Sequence, residues 1–148
     1  QFIWQTGKYY YPPVTEAVRA AGELPNLYVT DFIKDMAAAY AASDLVISRA
    51  GAGSISEFCL LHKPVVLVPS PNVAEDHQTK NALALVDKQA AIYVKDSEAE
   101  AKLMDVALNT VADDRKLKEL SENIAKLALP DSARIIAQEV IKLAEAEN

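Results

Sequence analysis

Cysteine is nearly absent. Cys59 stands alone in 148 residues, which excludes an internal disulfide and suits a reducing compartment. Histidine is scarce too: His62 and His77 are the whole supply, too few beside one cysteine for a zinc centre of the usual kind. No apolar run approaches the roughly 20 residues of a membrane-spanning helix. No signal peptide, repeat or low-complexity tract is visible. Positive charge is also short, with 15 Lys and Arg against 21 Asp and Glu, a net charge of −6. That balance argues against nucleic acid as a partner, because a phosphate backbone demands clustered Lys and Arg. It leaves room for a small anion, which main-chain N–H groups and a helix terminus can hold on an acidic protein. No Ser–His–acid set can be assembled from adjacent motifs. Neither a metal, a cofactor nor a catalytic group is therefore expected from the residues.

What is present is an ordinary globular mix, 51% apolar and 24% charged, long enough for one domain that buries about 70% of its unfolded surface. The organising stretch is Asp44–Pro69, DLVISRAGAGSISEFCLLHKPVVLVP. A short apolar run, Leu45–Ser48, leads into a turn-rich segment with Gly51 and Gly53. A helical pattern over Ile55–Lys63 and a second apolar run, Pro64–Val68, complete a βαβ unit, which joins parallel strands. Ligands of such sheets settle at the carboxyl ends of the strands. Here that end is Ser48–Gly53, and the following helix directs its unbonded N–H groups into the same space. Cys59 should face the core side of this helix.

On either side of the unit, strand and helix alternate. Phe2–Thr6 reads as a strand before a Gly7-Lys8 turn, so the chain begins inside a strand and looks like a piece of something longer. Tyr9–Tyr11 with Pro12-Pro13 is expected to be a loop, and Val14–Ala21 a helix closed by Gly22. Asn26–Thr30 is the second strand, and Asp31 is placed to cap a helix over Ile33–Ala42. After Pro69 comes a loop through Asp76, which can cap a helix from His77 to Lys88. Ala91–Val94 is a last strand. From about residue 97 the pattern is helical only, with Asp131 capping the final helix. The fold class is α/β, a doubly wound parallel sheet.

Ser54-x-x-Glu57 matches a capping box, in which the two side chains would take up the helix's first N–H groups. The competing reading leaves the N–H groups of Gly53, Ser54 and Ile55 for phosphate oxygens, with Glu57 accepting from a sugar diol. Arg49 would face a phosphate or pair with a carboxylate. His77, Gln78 and Asn81 share one face of a helix start, and the two amides suit sugar hydroxyls, although a solvated first turn would look the same. His62 should only complement a helix dipole. Spacing alone stops at a phosphate- or nucleotide-binding α/β domain.

Three spaced motifs carry a more specific resemblance. They are Phe32-Ile33-x-Asp35-Met36, then Tyr40-x-x-Ser43-Asp44-Leu45-Val46-Ile47-Ser48-Arg49-Ala50-Gly51-Ala52 with Ser56-Glu57, and Glu75-Asp76-His77-Gln78-x-x-Asn81-Ala82. In this order they resemble the MurG family, which moves N-acetylglucosamine from UDP-N-acetylglucosamine to lipid-linked muramyl-pentapeptide (lipid I), giving lipid II for the bacterial cell wall. The resemblance implies the GT-B architecture of two Rossmann-like domains. All 148 residues would belong to the C-terminal, donor-binding one, without its first strand and Gly-rich loop. It implies that Ile33, beside Phe32, contacts the uracil through its backbone. Ala52, Gly53, Ser54, Ile55 and Ser56 would hold the diphosphate, with Gly51 and Arg49 alongside, and Glu57 the ribose diol. Gln78, helped by His77 and Asn81, would read the N-acetylglucosamine hydroxyls. The acceptor, lipid I, would be met through an N-terminal domain absent from this chain. The full-length protein would lie peripherally on the cytoplasmic face of the inner membrane. Loss of the first strand implies an unpaired sheet edge and no transferase activity for the chain by itself.

Two other classes of answer stand beside this. One is another GT-B transferase with a UDP-sugar donor and a lipid acceptor, such as a diacylglycerol glycosyltransferase. The other is a non-catalytic nucleotide-binding subunit that docks onto a separate acceptor domain. A UDP-N-acetylglucosamine epimerase shares the architecture, but its active-site pattern is not seen.

Overall fold

The computed structural model describes residues 1–71 and 76–146, the last without its side chain. The chain falls into two compact units, Gln1–Ser43 and Asp44–Asn148.

The first unit runs β1 (Phe2–Gln5), α1 (Gly7–Ala20), β2 (Leu27–Thr30) and α2 (Met36–Ala42). The two strands are parallel, from Phe2 opposite Leu27 to Gln5 opposite Thr30. Gly7 opens α1 at φ +74, a left-handed conformation that a side chain would strain. The loop expected over Tyr9–Pro13 does not exist: α1 runs through both prolines. Pro12 and Pro13 withhold two N–H groups, but the carbonyls so deprived, on Lys8 and Tyr9, belong to exposed residues that water can serve. The helix expected from Ile33 begins at Met36. Its cap is Asp35, which accepts from Ala38 N at 2.9 Å, and not Asp31. No residue of this unit is fully buried.

The second unit continues with β3 (Val46–Ser48), α3 (Ala52–Leu60), β4 (Val65–Leu67), α4 (His77–Val86) and β5 (Ile92–Tyr93). These three strands form a parallel sheet in the order β3-β4-β5. β4 lies in the middle with Val65, Val66 and Leu67 fully buried, as a strand covered on both faces must be. Val66, Val68 and Val94 pack with Leu45, Ile92, Leu103 and Val106 on one side. Phe58 of α3 and Ala82 and Leu85 of α4 are buried as well. α5 (Asp96–Val111) and α6 (Asp114–Ala125) follow, the latter burying Leu120 and Ile124. The last helix, α7 (Ser132–Ala146), differs: every side chain described on it is exposed, Ile136 and Leu143 by 64% and 69%. Asp131, expected as its cap, pairs with Arg134 at 3.2 Å.

Both sheets are parallel with a helix between successive strands, the expected α/β class. Among the described residues β1 pairs only with β2, and β3 only with β4. Each is thus an end strand of its own sheet among the described residues, with one ladder edge left over.

Candidate functional site

The ligand end of the second unit is assembled where β3 and β4 stop. Beyond Ser48 the chain passes through Arg49 and the fully buried Ala50, then turns into α3 at Gly51. The helix starts three residues before the expected Ile55, because Gly51 is extended (φ −69, ψ 140) and serves as the N-cap itself. Ser54 is thus inside the first turn, too far along to cap it, and no side chain caps α3. The capping-box reading of Ser54 and Glu57 is overturned. Ile55 N makes the first intrahelical bond, to Gly51 O at 3.0 Å, so the N–H groups of Ala52, Gly53 and Ser54 precede the ladder. They carry the positive end of the helix dipole.

The two glycines matter for a different reason than expected. Neither Gly51 nor Gly53 has a positive φ, and a Cβ at either would meet nothing within 4 Å. Their contribution is open space beside the helix tip. Ser56 bonds back to Ala52 O at 3.0 Å, within the helix. Glu57 stands exposed one turn in, just ahead of the buried Phe58 and Cys59. Burial raises the Cys59 thiol pKa above its ordinary value, with a backbone hydrogen bond opposing part of the rise. The thiol therefore stays protonated and inert.

α4 closes the site from the other side. Asp76 sits before it at φ 54 without bonding an N–H, so the expected cap is not made. His77 opens the helix and is exposed. Gln78 Oε1 accepts from Ala50 N at 3.2 Å and from Ser70 N at 2.9 Å, and Asn81 Nδ2 donates to Ala50 O at 3.1 Å. Two amide side chains thereby satisfy both polar groups of a buried main-chain unit, and they fix α4 beside the tip of α3. These bonds use Oε1 of Gln78 and Nδ2 of Asn81. The opposite ends of the two amides, donors on one and an acceptor on the other, serve neither. Glu75 lies outside the described residues.

Arg49 does not reach toward the helix tip. Its Nη1 donates to Val68 O at 3.1 Å and Pro69 O at 3.3 Å, and pairs with Asp96 at the start of α5. Sequence reasoning left a carboxylate partner open but could not name Asp96, 47 residues away. Ser70 and the buried Ala50 also went unnoticed as partners of Gln78, because main-chain bonding leaves no side-chain signature. Phe32 and Ile33 belong to the first unit. There Phe32 is 62% exposed, and Ile33 N already donates to Gln5 Oε1 at 2.8 Å.

A parallel α/β unit with an uncapped helix tip, open glycines and an acidic residue one turn in has the design of a nucleotide-binding domain. Comparison with known proteins narrows that class. Residues 1–136 match the glycosyltransferase family 28 C-terminal domain, and the chain belongs to that family. It is 99% identical over its whole length to the Bacteroides thetaiotaomicron UDP-N-acetylglucosamine–N-acetylmuramyl-(pentapeptide) pyrophosphoryl-undecaprenol N-acetylglucosamine transferase, and 82% identical to the Bacteroides fragilis protein of the same name over 98% of its length. It spans 40% and 38% of those two relatives. In three dimensions it resembles the crystal structure of Acinetobacter baumannii MurG, with a TM-score of 0.82 at 30% identity. That match covers 95% of this chain and 42% of the other.

Proposed function

We propose that this chain is the donor-binding portion of a transferase that moves N-acetylglucosamine from UDP-N-acetylglucosamine to lipid I. The observation that carries the reading is the uncapped α3 terminus, with Glu57 exposed one turn in, within a chain whose relatives bear that enzyme's name. On this reading the first-turn amides, Ala52 to Ser54 with Ile55 and Ser56 behind them, receive the diphosphate. Their dipole and N–H groups suit an anion without any lysine or arginine. Glu57 accepts from both ribose hydroxyls. Gln78 and Asn81 turn their unspent ends to the sugar, next to His77.

The acceptor would be bound by the part of the longer relatives that this chain does not span, on the cytoplasmic face of the inner membrane. No described helix is long and apolar enough to cross a membrane.

Titration with UDP-N-acetylglucosamine, UDP-glucose and UDP, repeated with Glu57→Ala, tests the reading. Preference for the first ligand and a loss on the order of tenfold or more in the variant are expected, the scale of charge-assisted hydrogen bonds to a diol. Equal binding of all three ligands would reduce the site to a generic UDP pocket.

A further inference from the structure

Arg49 immediately precedes the segment that presents α3, yet its guanidinium points along the carboxyl edge of the sheet. From the end of β3 it reaches two carbonyls at the end of β4, Val68 and Pro69, and the carboxylate of Asp96 shortly after β5. One side chain therefore links the carboxyl ends of all three strands. From the opposite side Gln78 and Asn81 hold the next residue, Ala50, by its N–H and its carbonyl. Residues 49 and 50 are thus anchored on both flanks, and Gly51 begins α3 directly after them.

We propose that Arg49 and Asp96 are a positioning pair: they set the place of the α3 tip, and Arg49 is not itself a diphosphate ligand. This rests on the donor-site reading above. Asp96 neutralises the cation on the spot and draws it toward α5, which suits a strut better than a phosphate hook. The pair is too exposed, at 55% and 34% of the two side chains, to hold the fold together. What it can do is restrict where three unbonded amides point, and anion recognition by amides depends on that aim.

The two roles for Arg49 predict opposite signs for one substitution. If Arg49 were a phosphate ligand, Asp96→Ala would free it and remove a nearby negative charge, so UDP would bind as well or better. If the pair positions the loop, Asp96→Ala weakens UDP on the order of tenfold. Competition by uridine, which lacks the diphosphate, stays unchanged, and the melting midpoint moves by less than about 4 °C. Asp96→Asn keeps an acceptor oxygen for the guanidinium and should recover part of the lost affinity. These measurements belong in a full-length transferase carrying this segment. UDP affinity equal or higher in Asp96→Ala overturns the positioning role, as does an Asp96→Asn variant no better than Asp96→Ala. Absence of UDP binding by the unsubstituted protein would instead overturn the donor-site reading on which the pair depends.

Discussion

Asn81 and Gln78 show how much a single amide can be asked to do. Each bonds the main chain of Ala50, a residue fully closed to water. Replacing Asn81 by Ala leaves Ala50 O without its partner, and a buried acceptor left unsatisfied costs about 1–3 kcal/mol. Asn81→Ala should therefore lower the urea midpoint as well as sugar affinity. Cys59 makes a second residue-scale case. Its raised pKa means that folding favours the neutral thiol. The stabilisation so linked is complete below the unfolded thiol pKa, about 8.5, and is lost as pH rises through the higher folded value. A thiol reagent at pH 8 should label Cys59 slowly in the native protein and fast in denaturant. Equal rates would show that the helix α3 core is open.

Helices differ sharply in what they rest on. α6 buries Leu120 and Ile124, and Ser121 Oγ donates to His62 O at 2.8 Å, just past the end of α3. No side chain described on α7 is buried, so its removal should cost the remaining chain little: truncation after residue 130 is expected to leave the melting midpoint within about 3 °C. A large drop would mean that its apolar face is covered in solution. The errors of sequence reasoning also belong to this scale. Pro12-Pro13 looked like a break because a proline's missing N–H is costly inside a helix, but solvent exposure of the deprived carbonyls removed most of that cost. Ser54 looked like a cap because S-x-x-E spacing is the signature of one. Gly51, extended and one turn earlier, took the position, and a spacing rule cannot choose between two starts three residues apart.

At the scale of the whole molecule, the chain spans about two fifths of the relatives it matches. Among the described residues, β1 and β3 are each an end strand of their sheet. Bringing a lipid-linked acceptor to the donor sugar needs a second binding surface, which the longer relatives have the chain length to supply. The 148-residue chain alone is accordingly expected to turn over no lipid I in a radiolabelled transfer assay. Robust turnover by it would refute the division of labour proposed for the two portions.

Local sequence by itself determined the alternation of strands and helices, the buried run of β4, and the presence, though not the start, of a helix between β3 and β4. Those features follow from hydrophobic periodicity and chain chemistry within a few residues of one another. The motifs from Phe32 to Ala82 likewise marked the family before any coordinates. Only the tertiary structure decided what Arg49, Gln78 and Asn81 touch. Their partners lie 47, 28 and 31 residues away, brought together by strands ending along one edge, and pairing across such distances leaves no periodic trace in the chain.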